Sequence, residues 1–208
     1  IAKKLYKLNA TERKIWVLDQ KINIRGIRVD QPKIKDAIYV YEKIQDRLKA
    51  DLIKITDLDN PNSQKQFLGW LLDKGLLIDN VQKATLKSVL ESPDKFGTHD
   101  AIKLKMSLAK TAPKKYLSIR EKIGDGTRLH GNIMYHGATT GRWVSTGVNL
   151  QNIARPTLDA EKCIDLISRR DLGCFEKEDM DPMEALSSGI RGMLIPRGKN
   201  LLWGIMLL

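Results

Sequence analysis

The most informative part of this chain, residues 135–156, reads Tyr-His-Gly-Ala-Thr-Thr-Gly-Arg-Trp-Val-Ser-Thr-Gly-Val-Asn-Leu-Gln-Asn-Ile-Ala-Arg-Pro. Three glycines punctuate it, and several side chains between them are short and polar, able both to donate and to accept hydrogen bonds. Arg142 adds a planar fork of N–H donors that suits phosphate oxygens or the acceptor edge of a base. This composition is unlike that of a buried core element.

Within that stretch, the alternation in residues 149–153 predicts an extended segment, with Leu150 on one side and Asn149 and Gln151 on the other. A side-chain amide reaches the minor-groove acceptors that every Watson–Crick pair presents in about the same place, so such contacts check duplex shape without reading sequence. A polar loop whose amides satisfy its own backbone explains the same residues. The residue chemistry alone leaves both interpretations open.

A longer pattern combines Thr140-Gly141-Arg142, Ser145 and the run Asn149-Leu150-Gln151-Asn152-Ile153. It resembles, at the same spacing, the T-G-R-x-x-S-x-x-x-N-L-Q-N-I segment of the family A (bacterial polymerase I-like) DNA polymerases. The phage-type branch of that family favours Trp after the Arg, and Trp143 stands at this position. In that family the segment lies where the thumb joins the palm and contacts the primer–template duplex. Ala154 departs from the usual Pro, which we expect to alter only the local turn. The resemblance implies these DNA-contacting residues: Thr140, Arg142, Asn149, Gln151 and Asn152.

The charge balance points to a polyanionic partner. Of 208 residues, 36 are Lys or Arg and 25 are Asp or Glu, giving a formal charge of +11. Nucleic acid and an anionic membrane both fit that sign. No apolar run approaches the roughly 20 residues of a spanning helix, and no leader is evident, so we expect a cytoplasmic protein without a membrane partner. The chain begins at Ile1 rather than Met, which suggests a fragment of a longer protein.

The N-terminal half has the pattern of successive helices. Residues 11–25 predict a helix that begins near Thr11 and stops at Gly26. Asp30 and Pro32 then mark the start of a long second helix. Its apolar residues recur every three or four positions, which is typical of a helix-pairing seam rather than a ligand site. They are Ile34, Ile38, Tyr41, Ile44, Leu48, Leu52 and Ile55.

A second candidate DNA contact lies at residues 60–65. Asn60-Pro61-Asn62-Ser63 ends the long helix and supplies caps for the next one, which Gly75 closes. A helix N-terminus also offers N–H groups to a phosphate, and Lys65 one turn later strengthens such a site. The segment resembles the family's thumb motif, in which Asn, Ser and Lys grip the duplex backbone. The resemblance therefore adds Asn60, Ser63 and Lys65 to the DNA-contacting residues.

A run of lysines follows. After a short helix over residues 82–91, residues 99–120 predict a long helix that Pro113 kinks or breaks. The lysines at positions 105, 110, 114 and 115 repel one another unless an anion lies nearby, although a solvated basic face is the ordinary explanation for such a run. The polymerase family places a lysine close to this point against the primer–template, and the resemblance favours Lys110.

The C-terminal half mixes strands with helices. Residues 128–135 alternate as a strand, residues 158–172 read as a helix, and residues 174–179 read as a charged loop. Asp181-Pro182-Met183-Glu184 marks another helix start, so the acidic residues here are explained as caps and loop charges rather than metal ligands. Two cysteines have no ligand spacing and are interpreted as reduced and structural, Cys163 and Cys174.

These patterns predict a mostly helical α+β fold. By resemblance, residues 1–127 form a helical thumb, and residues 128–208 form the start of a truncated palm with a helical insertion at about residues 157–188. Residues 190–202 resemble the approach to motif A, whose aspartate binds a catalytic metal ion in the family. Ile205 stands at that position, and an aliphatic side chain cannot bind Mg²⁺. One permitted codon spelling of residues 202–208 encodes Val-Gly-Asp-Tyr-Ala in another frame, so a frameshift is our hypothesis for this ending.

The resemblance implies a fragment of a DNA-directed DNA polymerase that contributes primer–template binding and is inactive alone. We predict no catalytic residue, metal site or cofactor in this fragment, with Mg²⁺ and deoxynucleotides bound only by the complete polymerase. Two alternatives stay open: a non-catalytic DNA-binding clamp, and one subunit of a split polymerase completed by a downstream half. A basic amphipathic protein at a membrane surface fits the charge but not the paired amides at residues 149–152.

Overall fold

The computed structural model describes residues 8–153 and 155–196. Over these ranges the chain is mostly helical with a few short antiparallel strands, so the predicted α+β class is confirmed. The chain divides into two compact units, residues 1–38 with 112–208 and residues 39–111. The predicted boundary at residues 127 and 128 falls inside the first unit, and the assignment to a thumb and a palm stays a prediction.

The first unit begins with helix α1 (Ala10–Arg25), strand β1 (Ile27–Val29) and the start of helix α2 (Gln31–Thr56). Asn9 caps α1 by accepting a hydrogen bond from the Glu12 N–H at 2.8 Å, so the helix begins at Ala10, one residue before the predicted start near Thr11. The helix ends at Gly26, as predicted. Gly26 has a φ of +66°, and a Cβ at this position would lie 2.8 Å from the Leu129 carbonyl oxygen. Only glycine lets α1 end and β1 begin so close to its neighbouring strand.

Strand β1 is the centre of a three-stranded antiparallel sheet in the order β2, β1, β5, with β2 at Arg128–Leu129 and β5 at Leu194–Ile195. A second, two-stranded sheet pairs β3 (Ile133–Met134) with β4 (Val144–Ser145). The single strand predicted over residues 128–135 is therefore wrong. Gly131, with a φ of +58°, turns the chain between β2 and β3 and sends them to different sheets.

Four further helices belong to the first unit: α6 (Lys114–Ile123), α7 (Ala160–Ser168), α8 (Gly173–Lys177) and α9 (Pro182–Gly189), followed by a 3₁₀ turn at Ile190–Met193. The Tyr116 side chain is fully buried, and its hydroxyl donates a 2.7 Å hydrogen bond to the Leu186 carbonyl oxygen, which ties α6 to α9. Burial raises the pKa of this hydroxyl well above its ordinary value.

Two predictions in this region needed correction. The charged loop predicted over residues 174–179 contains the short helix α8, because Phe175 is completely buried and anchors one turn of it. The helix predicted over residues 158–172 spans only Ala160–Ser168, starting after the cap Asp159. The predicted cap at Asp181 is confirmed, since its carboxylate accepts a 3.0 Å hydrogen bond from the Met183 N–H.

The second unit contains the rest of α2 with α3 (Gln64–Asp73), α4 (Lys83–Leu90) and α5 (His99–Leu108). Its buried core consists of Leu52, Phe67, Leu71, Leu86, Ala101, Ile102 and Leu108. The helix predicted over residues 99–120 is two helices, α5 and α6, interrupted over residues 109–113, which confirms the break expected at Pro113. Among the described helices, none has the length and apolar character to cross a membrane.

Candidate nucleic-acid interface

Thr140 and Arg142 are exposed on the loop that joins β3 to β4. The rings of Tyr135 and Trp143 pack at the base of this loop, with their centroids 5.2 Å apart. Gly141, between the two exposed residues, has a φ of +76°, a conformation that other residues rarely adopt. The turn that presents Arg142 to solvent therefore depends on the glycine.

Two polar side chains one turn apart on α1 hold the β3–β4 hairpin in place. Asn23 donates from its amide to the Ile133 carbonyl oxygen at 2.7 Å and accepts from the Ile133 N–H at 3.1 Å. The carboxylate of Asp19, only 5% exposed, accepts a 3.0 Å hydrogen bond from the Tyr135 N–H. The polar side of α1 thus supplies hydrogen bonds to β3 and to the residue after it.

The segment from Asn149 to Ile153 is a turn rather than the continuous extended stretch predicted. Leu150 is buried and Asn149 is exposed, as expected from the alternation, but the chain turns at Gln151 and Asn152. The Asn149 side-chain oxygen accepts a 3.1 Å hydrogen bond from the Asn152 N–H. The half-buried Gln151 amide donates to the Trp143 carbonyl oxygen at 3.0 Å. Both side-chain amides therefore make hydrogen bonds to nearby backbone groups, while the side chains of Asn149 and Asn152 remain exposed.

Two cations from other parts of the first unit bind the backbone of this turn. The Lys115 ammonium donates to the carbonyl oxygens of Asn149 and Asn152 at 2.9 and 2.6 Å. The Arg191 guanidinium donates to the Ile153 carbonyl oxygen at 2.7 Å. Burial, and then the neighbouring charge of Arg191, lowers the pKa of Lys115 below its ordinary value. Neither residue was among those predicted to form the site.

Asn132 fixes the chain just before the turn. Its side chain is 2% exposed and donates to the Val148 carbonyl oxygen at 2.9 Å, while its own carbonyl oxygen accepts from the Thr146 N–H at 3.0 Å. A Cβ at Gly147 would lie 3.0 Å from the Asn132 side-chain oxygen and 3.3 Å from the Lys122 ammonium nitrogen. Glycine at position 147 therefore lets the backbone pass between the buried amide of Asn132 and the ammonium group of Lys122.

The stretch of sequence that contains these loops is rich in positive charge. Residues 102–156 contain ten Lys or Arg residues and two Asp or Glu residues. This local excess of eight positive charges is most of the +11 of the whole chain. The sign of this charge favours binding of a polyanion.

The other predicted residues lie in the second unit. Ser63 caps α3 by accepting a 3.2 Å hydrogen bond from the Gln66 N–H, and the Asn60 side chain accepts one from the Asn62 N–H at 3.0 Å. Lys65 is exposed in the first turn of α3. The capping interpretation is confirmed for Ser63, whereas Asn60 forms a turn with Asn62 before the helix begins. A contact of either residue with phosphate stays a prediction.

Lys105, on α5, holds the loop that precedes α3. Its side chain is nearly buried, and its ammonium donates a 2.6 Å hydrogen bond to the Pro61 carbonyl oxygen and lies 5.4 Å from the Phe67 ring centroid. Burial lowers the pKa of Lys105. Lys105 also borders an open cavity of about 560 Å³, whose other polar lining residues are Gln64, Lys83, Lys103, Ser107, Lys110 and Thr111.

The predicted contacts therefore form two groups, one in each compact unit. Thr140, Arg142 and the Asn149–Asn152 turn belong to the first, and the group in the second consists of Asn60, Ser63, Lys65 and Lys110. The run of lysines at positions 105–115 marked Lys115 as part of a basic stretch. It did not predict that Lys115 binds the backbone of the Asn149–Ile153 turn. The four-residue spacing of Asp19 and Asn23 on α1 was a signal for a shared polar face.

Within residues 8–153 and 155–196, no group of three His, Cys, Asp or Glu side chains could hold a metal ion. Cys163 is buried with its sulfur 4.0 Å from that of Met180, and burial raises the pKa of this thiol. A buried thiol with a raised pKa is a poor nucleophile.

No protein-family model matches this chain. The chain is similar to a DNA polymerase of Bacillus phage SP02, with 37% identity over 150 residues. The aligned region is 72% of this chain and 23% of the phage protein, so the chain spans about a quarter of the length of that relative. The class of the relative agrees with the class expected from the pattern at residues 140–153.

Proposed function

We propose that this chain is a segment of a DNA polymerase and that it contributes binding of the primer–template duplex. The observation that carries the proposal is the exposure of Arg142, Asn149 and Asn152 on two loops of one unit, within the most basic part of the chain. The similarity to the phage DNA polymerase supports a role with DNA over the other polyanions that fit the charge.

Each exposed group suits a different part of a duplex. The Arg142 guanidinium presents paired donors that match the oxygens of a phosphate. The amides of Asn149 and Asn152 suit the minor groove, where the purine N3 and pyrimidine O2 accept hydrogen bonds at similar positions for every base pair. Such contacts accept any sequence, as template-directed synthesis requires.

Metal-dependent nucleotide addition belongs, in this proposal, to the complete polymerase. The described residues do not fit a Mg²⁺ site, because they contain no cluster of carboxylates or other ligands. The predicted position of the motif A aspartate, at Ile205, lies outside the described residues, as do the rest of residues 197–208. The proposal for this chain is therefore duplex binding, with deoxynucleotides and Mg²⁺ handled by the whole enzyme.

The test is the fluorescence anisotropy of a labelled primer–template duplex titrated with the protein and with Arg142→Ala. We expect this variant to lose about tenfold or more in affinity, since a charge-assisted contact contributes roughly 1.5–3 kcal/mol. Arg13→Ala is the matched control, because Arg13 is an exposed arginine on α1 whose loss changes the net charge equally.

If Arg142→Ala and Arg13→Ala lost the same affinity for the duplex, Arg142 would contribute no more than any other positive charge. That result would count against the proposed interface. A wild-type chain that does not bind the duplex at low salt would overturn the proposed function altogether. Circular dichroism of both variants checks that neither substitution changes the helical content.

A further inference from the structure

Lys115 binds the turn formed by Asn149–Ile153 and is less exposed than its neighbour Lys114. Lys114 is exposed, whereas Lys115 is half-buried and donates two hydrogen bonds to the backbone of the turn. Adjacent residues on a helix point about 100° apart, so one substitution removes an inward cation and the other an outward one.

Three backbone carbonyl oxygens within five residues converge on two cations. Lys115, in the first turns of α6, binds the carbonyl oxygens of Asn149 and Asn152, and Arg191, in the 3₁₀ turn after α9, binds that of Ile153. These cations lie on elements distant in sequence but within the same compact unit. The carbonyl groups are bound by these cations, and the side chains of Asn149 and Asn152 are left exposed.

Neutral hydrogen bonds also hold this turn. The neutral hydrogen bonds described for the turn run from the Ile153 N–H to the Leu150 carbonyl oxygen at 3.3 Å, from the Asn152 N–H to the Asn149 side chain at 3.1 Å, and from the Gln151 amide to the Trp143 carbonyl oxygen at 3.0 Å. Hydrogen bonds to a charged donor are stronger than these neutral ones. The two cations are thus the strongest polar contacts that the described structure gives this turn.

We infer that Lys115 is a positioning residue that, together with Arg191, holds the Asn149–Ile153 turn in the conformation that presents Asn149 and Asn152 to duplex DNA. The inference rests on the proposed function and adds to it, because it assigns a role to a lysine that does not touch the DNA. It also separates Lys115 from Lys110, for which a direct DNA contact is predicted.

The dependence of affinity on salt distinguishes the two kinds of lysine. A side chain that neutralises a phosphate contributes about 0.9 to the slope of log K against log salt concentration, because it releases condensed counterions. A positioning lysine contributes to affinity through the shape of the turn. Its removal therefore lowers affinity without lowering this slope.

The experiment compares Lys115→Met, Lys115→Arg and the control Lys114→Met in primer–template binding by anisotropy at several salt concentrations. We expect Lys115→Met to lose about tenfold in affinity with an unchanged slope, and Lys115→Arg to recover part of the loss, because a guanidinium also donates to two carbonyl oxygens. Lys114→Met should lose less affinity than Lys115→Met. Any loss in Lys114→Met should come with a smaller magnitude of the slope of log K against log salt concentration.

Amide hydrogen exchange adds a readout that does not need DNA. Faster exchange at Asn152 and Ile153 in Lys115→Met, with unchanged exchange in α7, supports positioning by Lys115, and general unfolding would show as faster exchange in α7 as well. Equal losses of affinity in the two methionine variants, or a slope lowered by about 0.9 in Lys115→Met, would overturn the inference while leaving the proposed function intact. A wild-type chain that fails to bind the duplex overturns the proposed function instead.

Discussion

Replacing Asn23 by alanine removes the two hydrogen bonds through which α1 holds β3. The side chain of Asn23 donates to the Ile133 carbonyl oxygen at 2.7 Å and accepts from the Ile133 N–H at 3.1 Å. The alanine variant leaves both backbone groups of Ile133 without these partners, in a partly buried position. The β3–β4 hairpin carries Arg142, so the substitution affects the element that presents part of the candidate interface.

The expected cost follows from the two bonds and from the helix. Each hydrogen bond contributes about 1 kcal/mol net, giving a loss of about 2 kcal/mol. Alanine favours a helix over asparagine by roughly 0.5 kcal/mol, which offsets part of the loss. The free energy of unfolding of the first unit should fall by about 1.5 kcal/mol, which corresponds to a Tm lower by about 3–6 °C for a protein of this size.

Urea unfolding with hydrogen exchange as a local readout measures this effect. The Ile133 amide should exchange faster in Asn23→Ala, and the Tyr135 amide, which Asp19 binds, should follow to a smaller extent. Lys21→Ala is the control, since Lys21 is an exposed residue on the same helix. Unchanged exchange at Ile133, together with a stability equal to that of the control variant, would refute the assigned role of α1.

Three further predictions concern single positions. Ser63→Ala should destabilise the second unit by about 1 kcal/mol in urea unfolding, because it removes the cap of α3. Ser63→Asp should keep the cap. This second variant should weaken DNA binding only if position 63 faces a phosphate. Burial lowers the pKa of Lys105 from 10.5, so the unfolded state binds more protons between the lowered pKa and 10.5. The free energy of unfolding of the wild-type protein should rise with pH through that window relative to that of Lys105→Met. The same pH dependence of stability in both proteins would contradict a lowered pKa for Lys105. Gly137→Ala should disrupt the β3–β4 hairpin, because the new Cβ would lie 2.0 Å from a Val144 methyl carbon. Gly69→Ala is the control, since a Cβ at this position meets open space and should be tolerated. Equal thermal stability of these two variants would contradict the hairpin geometry.

Local signals in the sequence predicted the helices well. Asp30, Ser63 and Asp181 cap α2, α3 and α9 as expected, because capping depends on one side chain and the N–H groups two or three residues later. Pro113 separates α5 from α6 for a similarly local reason.

The strands were harder to predict because their partners are distant in the chain. β1 has only three residues and pairs with β2 and β5, which follow about 100 and 165 positions later, so no local pattern shows that it is the centre of a sheet. The alternation over residues 128–135 is real, but Gly131 divides it between two sheets.

The candidate site was predictable in its exposed residues and not in its supports. The pattern around Arg142 and Asn149 identified the loops, since the resemblance covers consecutive residues. Lys115, Arg191 and Asn23 act on backbone groups, and a backbone carbonyl or N–H has no signature in the sequence. Their roles emerged only from distances between residues far apart in the chain.

The salt dependence of binding to a primer–template duplex tests the central proposal most directly. The dissociation constant of the wild-type chain would be measured by anisotropy between 50 and 200 mM salt. Binding through about six phosphates predicts that affinity falls by roughly 10³ or more over this range. An affinity that stays flat with salt, or an absence of binding at the lowest salt concentration, would contradict the proposal that this chain grips duplex DNA.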